Sequence, residues 1–99
     1  MSFSTHVLDA VTGRPAAGLL VRLEHDGQVL GEGRTDGDGR LKGWTPRTGV
    51  NRVVFDTGGY LADTFYPEVV VAFTVTDPSA HHHVPLLLSP YAYSTYRGS

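Results

Sequence analysis

The stretch Leu19-Leu20-Val21-Arg22-Leu23-Glu24-His25-Asp26-Gly27-Gln28-Val29-Leu30-Gly31-Glu32-Gly33-Arg34 sets two β-rich runs on either side of Asp26-Gly27. An Asp-Gly pair tolerates the positive φ angles of a two-residue hairpin turn, so strands are expected at 19–25 and 28–34 with a tight turn between them. Outward from this hairpin, further β-rich runs occupy 4–9, 40–44, 51–56, 68–76, 82–88 and 91–97. They are separated by Thr12-Gly13-Arg14-Pro15, Asp36-Gly37-Asp38-Gly39 and Thr48-Gly49, whose residues permit positive φ or fix a turn. Only 57–65 breaks the pattern, and it reads as one or two turns of helix. Eight strands in 99 residues suit two stacked four-stranded sheets sharing one core: an all-β sandwich with one short helix, and a single domain over 1–99.

Composition narrows the function classes. A charged fraction of 18% and a net charge of -2 give no basic face for a nucleic acid. With no cysteine, disulfides, thiolate zinc sites and a cysteine nucleophile are excluded. The opening residues lack the basic and apolar regions of a signal peptide, and the apolar runs Val69 to Phe73 and Val84 to Leu88 are far short of a membrane span. A cytoplasmic protein without membrane or nucleic-acid partners is therefore expected.

Strand parity sorts the polar residues by face. In 82–88, Val84, Leu86 and Leu88 point inward and His83, Pro85 and Leu87 outward; in the first strand Val7 points inward, and His6 and Leu8 share the other side. In the last strand Tyr91, Tyr93 and Thr95 oppose Ser94, Tyr96 and Gly98. Leu8, Pro85 and Leu87 beside histidines make an outer face that suits an oligomer interface holding a polar pocket. Pro85 lacks the donor of a central strand, which calls for a bulge or a different placement there.

Five histidines stand in the chain, four of them at His6 and in the triplet His81-His82-His83. If the first strand pairs with the late one, as often happens in a sandwich, His6 and His83 converge; taken alone, His6 reads first as a hydrogen-bonded surface residue. His81 and His83 share a face, so with His6 they could also ligate zinc. Thr35-Asp36-Gly37-Asp38-Gly39 before Arg40 has some likeness to an acidic calcium loop but has Arg47 where that loop needs its bidentate glutamate. Arg40 is either a solvated strand residue or, in an apolar site, a fork of donors for an anionic, planar, urea-like ligand. Ser99 is in no nucleophile-elbow context.

Ser4-Thr5-His6-Val7-Leu8-Asp9-Ala10, Thr35-Asp36-Gly37-Asp38-Gly39-Arg40, His83-Val84-Pro85-Leu86-Leu87-Leu88-Ser89-Pro90 and Tyr91-Ala92-Tyr93-Ser94-Thr95-Tyr96-Arg97-Gly98-Ser99 together resemble the hydroxyisourate hydrolase branch of the transthyretin-like family. The likeness covers essentially the whole chain. Transthyretin hormone carriers share the Ser-Pro-Tyr and Tyr-Ser-Thr elements but are not expected to keep the histidine pair, the arginine or Tyr-Arg-Gly-Ser.

This resemblance implies a transthyretin-like sandwich and a homotetramer, a dimer of dimers, with sites in the channel between dimers. It implies hydrolysis of the small molecule 5-hydroxyisourate in urate degradation, with no metal and no cofactor. His6, Arg40, His83 and Ser99 fall on the family's catalytic positions. His6, Arg40, Tyr96, Arg97 and Gly98 are expected to bind substrate. His81 matches a histidine often found two residues before the catalytic one, and His82 stands where an aromatic residue is common. Two other readings remain open: a carrier of small aromatic ligands in the same channel, and a zinc hydrolase ligated by His6, His81 and His83.

Overall fold

The computed structural model describes residues 2–99 and contains two β-sheets packed face to face. Its strands are β1 (Phe3–Asp9), β2 (Arg14–Pro15), β3 (Leu20–His25), β4 (Gln28–Arg34), β5 (Arg40–Trp44), β6 (Gly49–Phe55), β7 (Val69–Val75), β8 (His82–His83), β9 (Leu86–Leu88) and β10 (Tyr93–Thr95), with one helix, α1 (Thr57–Tyr60). The opening hairpin is as expected: Asp26 and Gly27 have φ of 49° and 75°, and His25 pairs with Gln28. Both φ values are positive, as a twisted two-residue connection demands. This hairpin forms one edge of the sheet β4-β3-β6-β7.

The other sheet is built around β1. On one side β1 pairs antiparallel with β5 and β2, and on the other it runs parallel to β8 and β9, with β10 outermost. The first strand thus does pair with the late one. Three expectations about strand bounds are corrected. Strand 82–88 is split into β8 and β9, and 91–97 shrinks to β10 followed by a lone bridge between His83 and Gly98. Residues 12–15, read as a turn only, end in the two-residue β2, which pairs Arg14 and Pro15 with Asp9 and Leu8. The helical segment is a single turn: the Asp56 carboxylate accepts from Gly59 N–H at 3.1 Å, and Leu61 already leaves with extended backbone.

Pro85 explains the split strand. It offers no N–H, so the ladder lapses there, yet Ser4 faces His83 before it and Val7 faces Leu86 after it, which is the same register. The Thr5 hydroxyl donates to the Val84 carbonyl at 2.6 Å and keeps that carbonyl satisfied across the gap. Contrary to expectation, Pro85 is itself buried.

The core follows parity. Burial alternates along β1, with Phe3, Thr5, Val7 and Asp9 buried and Ser4, His6 and Leu8 half-exposed. Phe3, Val7, Leu86 and Leu88 from this sheet meet Val21, Leu23, Val53, Phe55 and Val69 from the other. Phe3 stacks on Trp44 beside it, ring centroids 6.0 Å apart, and on Phe73 of the facing sheet at 5.8 Å. Gly31 makes room for Trp44, since a Cβ there would come within 2.5 Å of the indole Cε2. With the inner faces filled in this way, Ser4, His6 and Leu8 are left on the opposite, outer face. Among the described residues no helix is long and apolar enough to cross a membrane.

Candidate active site

Strand register assembles the outer face of the β1 sheet row by row. Directly opposed residues in a sheet share a face. His6 is opposite Arg40, and Ser4 lies between Lys42 on one side and His83 on the other. His83 in turn bridges to Gly98, so Arg40, Lys42, Ser4, His6, His83 and Gly98 project to one side. Three segments distant in sequence thus deliver an arginine, a lysine and two histidines to one surface.

Each is held by local structure. The Asp36 carboxylate accepts from the backbone N–H of Asp38 at 2.9 Å and of Arg40 at 3.0 Å, closing the turn that launches β5. Those two donors, first that of Arg40, hold the Asp36 carboxyl below the usual carboxylate range, and the charges of Arg40 and His6 act in the same direction. The acidic loop is therefore a turn that aims Arg40. Gly98 N–H donates to the His83 carbonyl at 2.9 Å, and the His83 ring lies over Gly98. A Cβ on Gly98 would stand 3.1 Å from His83 Cγ and closer still to Cδ2, so glycine is what lets the ring lie there.

His83 is the most constrained of these side chains. Its Nδ1 is 2.7 Å from Ser4 Oγ, and the same hydroxyl is 3.2 Å from His81 Nε2. The His81 and His83 rings stack with centroids 6.2 Å apart. Burial is the leading cause that depresses the His83 pKa below the usual histidine value, and the neighbouring Arg40, His81 and His6 push the same way. These causes favour the uncharged imidazole, which keeps one ring nitrogen able to take a proton.

The other expected residues take different places. His82 points to the core side, buried and tilted against Phe73, with Nδ1 unpartnered. Tyr96 and Arg97 are exposed and, with His82, His83, Val71 and Phe73, line a cleft of about 300 Å³ at the β7 and β10 edges of the sandwich. A second hollow, of about 330 Å³, is lined by Ser4, Arg40, Lys42 and His81 among others, and His6 borders neither. Ser99 is exposed, one residue beyond the Gly98 bridge. Among the described residues no three His, Asp or Glu side chains converge as a ligand set for a metal, His6, His81 and His83 included. Sequence reading passes over Ser4, Lys42 and Asp36, although counting by two from His6 and from Arg40 reaches Ser4 and Lys42.

Comparison with known proteins places the chain in a family. The model of the HIUase/transthyretin family matches residues 3–98. The chain belongs to that family. It is 47% identical to a 5-hydroxyisourate hydrolase of Salmonella dublin, over 97% of this chain and 79% of the relative. The structure of Klebsiella pneumoniae 5-hydroxyisourate hydrolase superposes with a TM-score of 0.91 at 31% identity, covering 99% of this chain and 93% of that one. Transthyretin from Sparus aurata follows the same sandwich, with a TM-score of 0.86 at 29% identity over 97% and 95% of the two chains. The transthyretin-like fold anticipated from the motifs is thus the fold observed, and it is shared by hydrolases and transthyretins alike. Fold alone does not choose between them.

Proposed function

We propose that this chain is a 5-hydroxyisourate hydrolase, one domain over 1–99, acting as a homotetramer. The observation that carries the reading is the row of His6 against Arg40 beside His83 against Gly98, on one face of a chain 47% identical to a named hydrolase. A carrier of apolar aromatic ligands gains nothing from two histidines and an arginine held in register, whereas hydrolysis of a cyclic amide uses all three.

In the proposed reaction, neutral His83 takes a proton from water as the water oxygen attacks the ring carbonyl. The new C–O bond places negative charge on the carbonyl oxygen, which Arg40 offsets with fixed donors that need no rearrangement. The intermediate collapses by breaking the C–N bond, and His6 passes a proton to the departing nitrogen and takes one back from water. The product is the ring-opened 2-oxo-4-hydroxy-4-carboxy-5-ureidoimidazoline. Tyr96, Arg97 and Gly98 bound the substrate, and Ser99 orients it or the water.

Two features support assembly into a dimer of dimers. Sheet edges β7 and β10 flank an open, largely apolar cleft, and Leu8 and Leu87 lie beside the histidines on the outer face. Covering that face would remove bulk water from the site and strengthen every charge interaction within it.

The test is the decay of freshly prepared 5-hydroxyisourate, followed by absorbance, with chelator-treated protein. Accelerated decay is expected before and after chelation. Decay at the uncatalysed rate, together with saturable binding of an aromatic ligand, would support the carrier instead; activity lost on chelation and restored by zinc would support the metal reading.

A further inference from the structure

The Ser4 hydroxyl sits between two imidazoles, 2.7 Å from His83 Nδ1 and 3.2 Å from His81 Nε2. A hydroxyl has one proton to donate, so it can give a hydrogen bond to only one of these nitrogens and must accept from the other. If His83 carries its proton on Nδ1, it donates to Ser4, Ser4 donates to His81, and His83 Nε2 is left with a free lone pair. If the chain of bonds runs the other way, His81 donates to Ser4, Ser4 donates to His83 Nδ1, and the His83 proton is on Nε2. The tautomer of the proposed base is therefore set by the direction of hydrogen bonding through Ser4.

We propose that Ser4 and His81 form a proton relay behind His83: in the free protein they hold it as the Nδ1–H tautomer, and during turnover they carry away the proton it takes from water. The inference rests on the reading of His83 as the water-activating base. Its physical reason lies in the surroundings of the ring. A second proton on His83 would put an imidazolium in a half-buried position facing Arg40, His6 and His81, where no carboxylate is among its partners. His81, by contrast, is exposed in the single chain.

The transfer balances. Water gives a proton to His83 Nε2, the Nδ1 proton passes to Ser4 Oγ, and the Ser4 proton passes to His81 Nε2. His83 is again neutral, now as its Nε2–H tautomer, and His81 is an imidazolium. The relay resets when His83 gives its Nε2 proton to water, Ser4 returns a proton to His83 Nδ1 and His81 Nε2 returns one to Ser4, which leaves His81 neutral. Geometry favours this use over a merely structural one. Ser4 keeps its backbone place in the sheet through Val84 N–H, which donates to the Ser4 carbonyl at 3.0 Å, so the hydroxyl is not needed to hold the strand. His81 and His83 stack with an interplanar angle of 14°, which keeps both nitrogens within reach of one oxygen. Ser4 and His81 are thus positioning residues.

The experiment is ¹⁵N NMR of histidine-labelled full-length protein, reading the His83 tautomer above its pKa, with turnover of 5-hydroxyisourate measured on the same samples. The variants are Ser4→Ala, Ser4→Thr and His81→Phe; the last keeps a stacked ring and removes the acceptor. In the wild type His83 should be Nδ1–H. In His81→Phe the Ser4 proton is released to His83, which should become Nε2–H. Turnover number should fall ~10-fold or more in Ser4→Ala and His81→Phe with KM little changed, within the range for loss of acid–base assistance, and Ser4→Thr should restore it. An Nε2–H tautomer in the wild type, or the same tautomer in wild type and His81→Phe, overturns the relay. Because the tautomer is read without substrate, it tests the relay even if the wild type fails to hydrolyse 5-hydroxyisourate, which would overturn the proposed function separately.

Discussion

Gly98 carries two readings at once. As part of Tyr96-Arg97-Gly98-Ser99 it is expected to contact substrate, and in the fold the His83 ring lies over it. Gly98→Ala should displace that ring and cut turnover ~10-fold or more while the chain stays folded, since misplacing a catalytic group by about 1 Å costs on that order or beyond; circular dichroism and the hydroxyisourate assay on one sample would check both halves. His83 makes a second prediction. Because burial and then Arg40, His81 and His6 hold it below the usual histidine range, kcat/KM should stay high as pH falls below 6.5 and be lost only when His83 protonates. The stability effect has the opposite character to that of a salt-bridged histidine: the unfolded chain binds this proton more readily, so folding is penalised at low pH and the penalty disappears as pH rises through 6.5. A pH–rate profile whose acid limb lies above 6.5 would contradict the assignment. His6 and His83 are legible as candidates because strand parity and the family motifs both select them, and Arg40 because the family motif does. Ser4 is not, because a serine in a strand is ordinary until its two imidazole neighbours are seen, and they come from a segment 77 and 79 residues away.

Strands anchored by local chemistry are the easiest to place. β4 and β5 match their expected bounds, because Asp26-Gly27 and Asp36-Gly37-Asp38-Gly39 punctuate them sharply. Pro85 is awkward in any central strand, but whether it bulges, shifts register or interrupts the ladder depends on Thr5 of another strand, whose hydroxyl satisfies the Val84 carbonyl. β2 escapes notice because two residues carry no period; it exists through pairing with Leu8 and Asp9. The same dependence on distant partners gives Phe3 its weight. It is 1% exposed and stacks on rings from both sheets, so Phe3→Ala should cost ~3–5 kcal/mol of stability in chemical denaturation, the range for emptying a buried aromatic position. A loss below ~1 kcal/mol would mean that Trp44 and Phe73 do not pack through it.

Two sheets, a shared core and an outer face with charged and histidine side chains in register make a scaffold that the family uses for more than one purpose. In this chain that face carries the row Arg40, His6 and, beside it, Ser4, His83 and Gly98, set by the pairing of β5, β1 and β8 and by the lone bridge to Gly98. The face is open in a single chain, and the proposed tetramer would close it; sedimentation should give four times the 10.7 kDa chain mass, with the assembly unchanged by substitutions at His6 or Arg40. The measurement that bears most directly on the whole account is the rate of 5-hydroxyisourate decay in wild type and Arg40→Ala, both confirmed to have the same oligomeric state. A loss of ~100-fold or more in the variant is predicted, the scale for removing a fixed charge stabiliser. Decay as fast as in the wild type would show that the Arg40 and His6 face is not where the chemistry occurs.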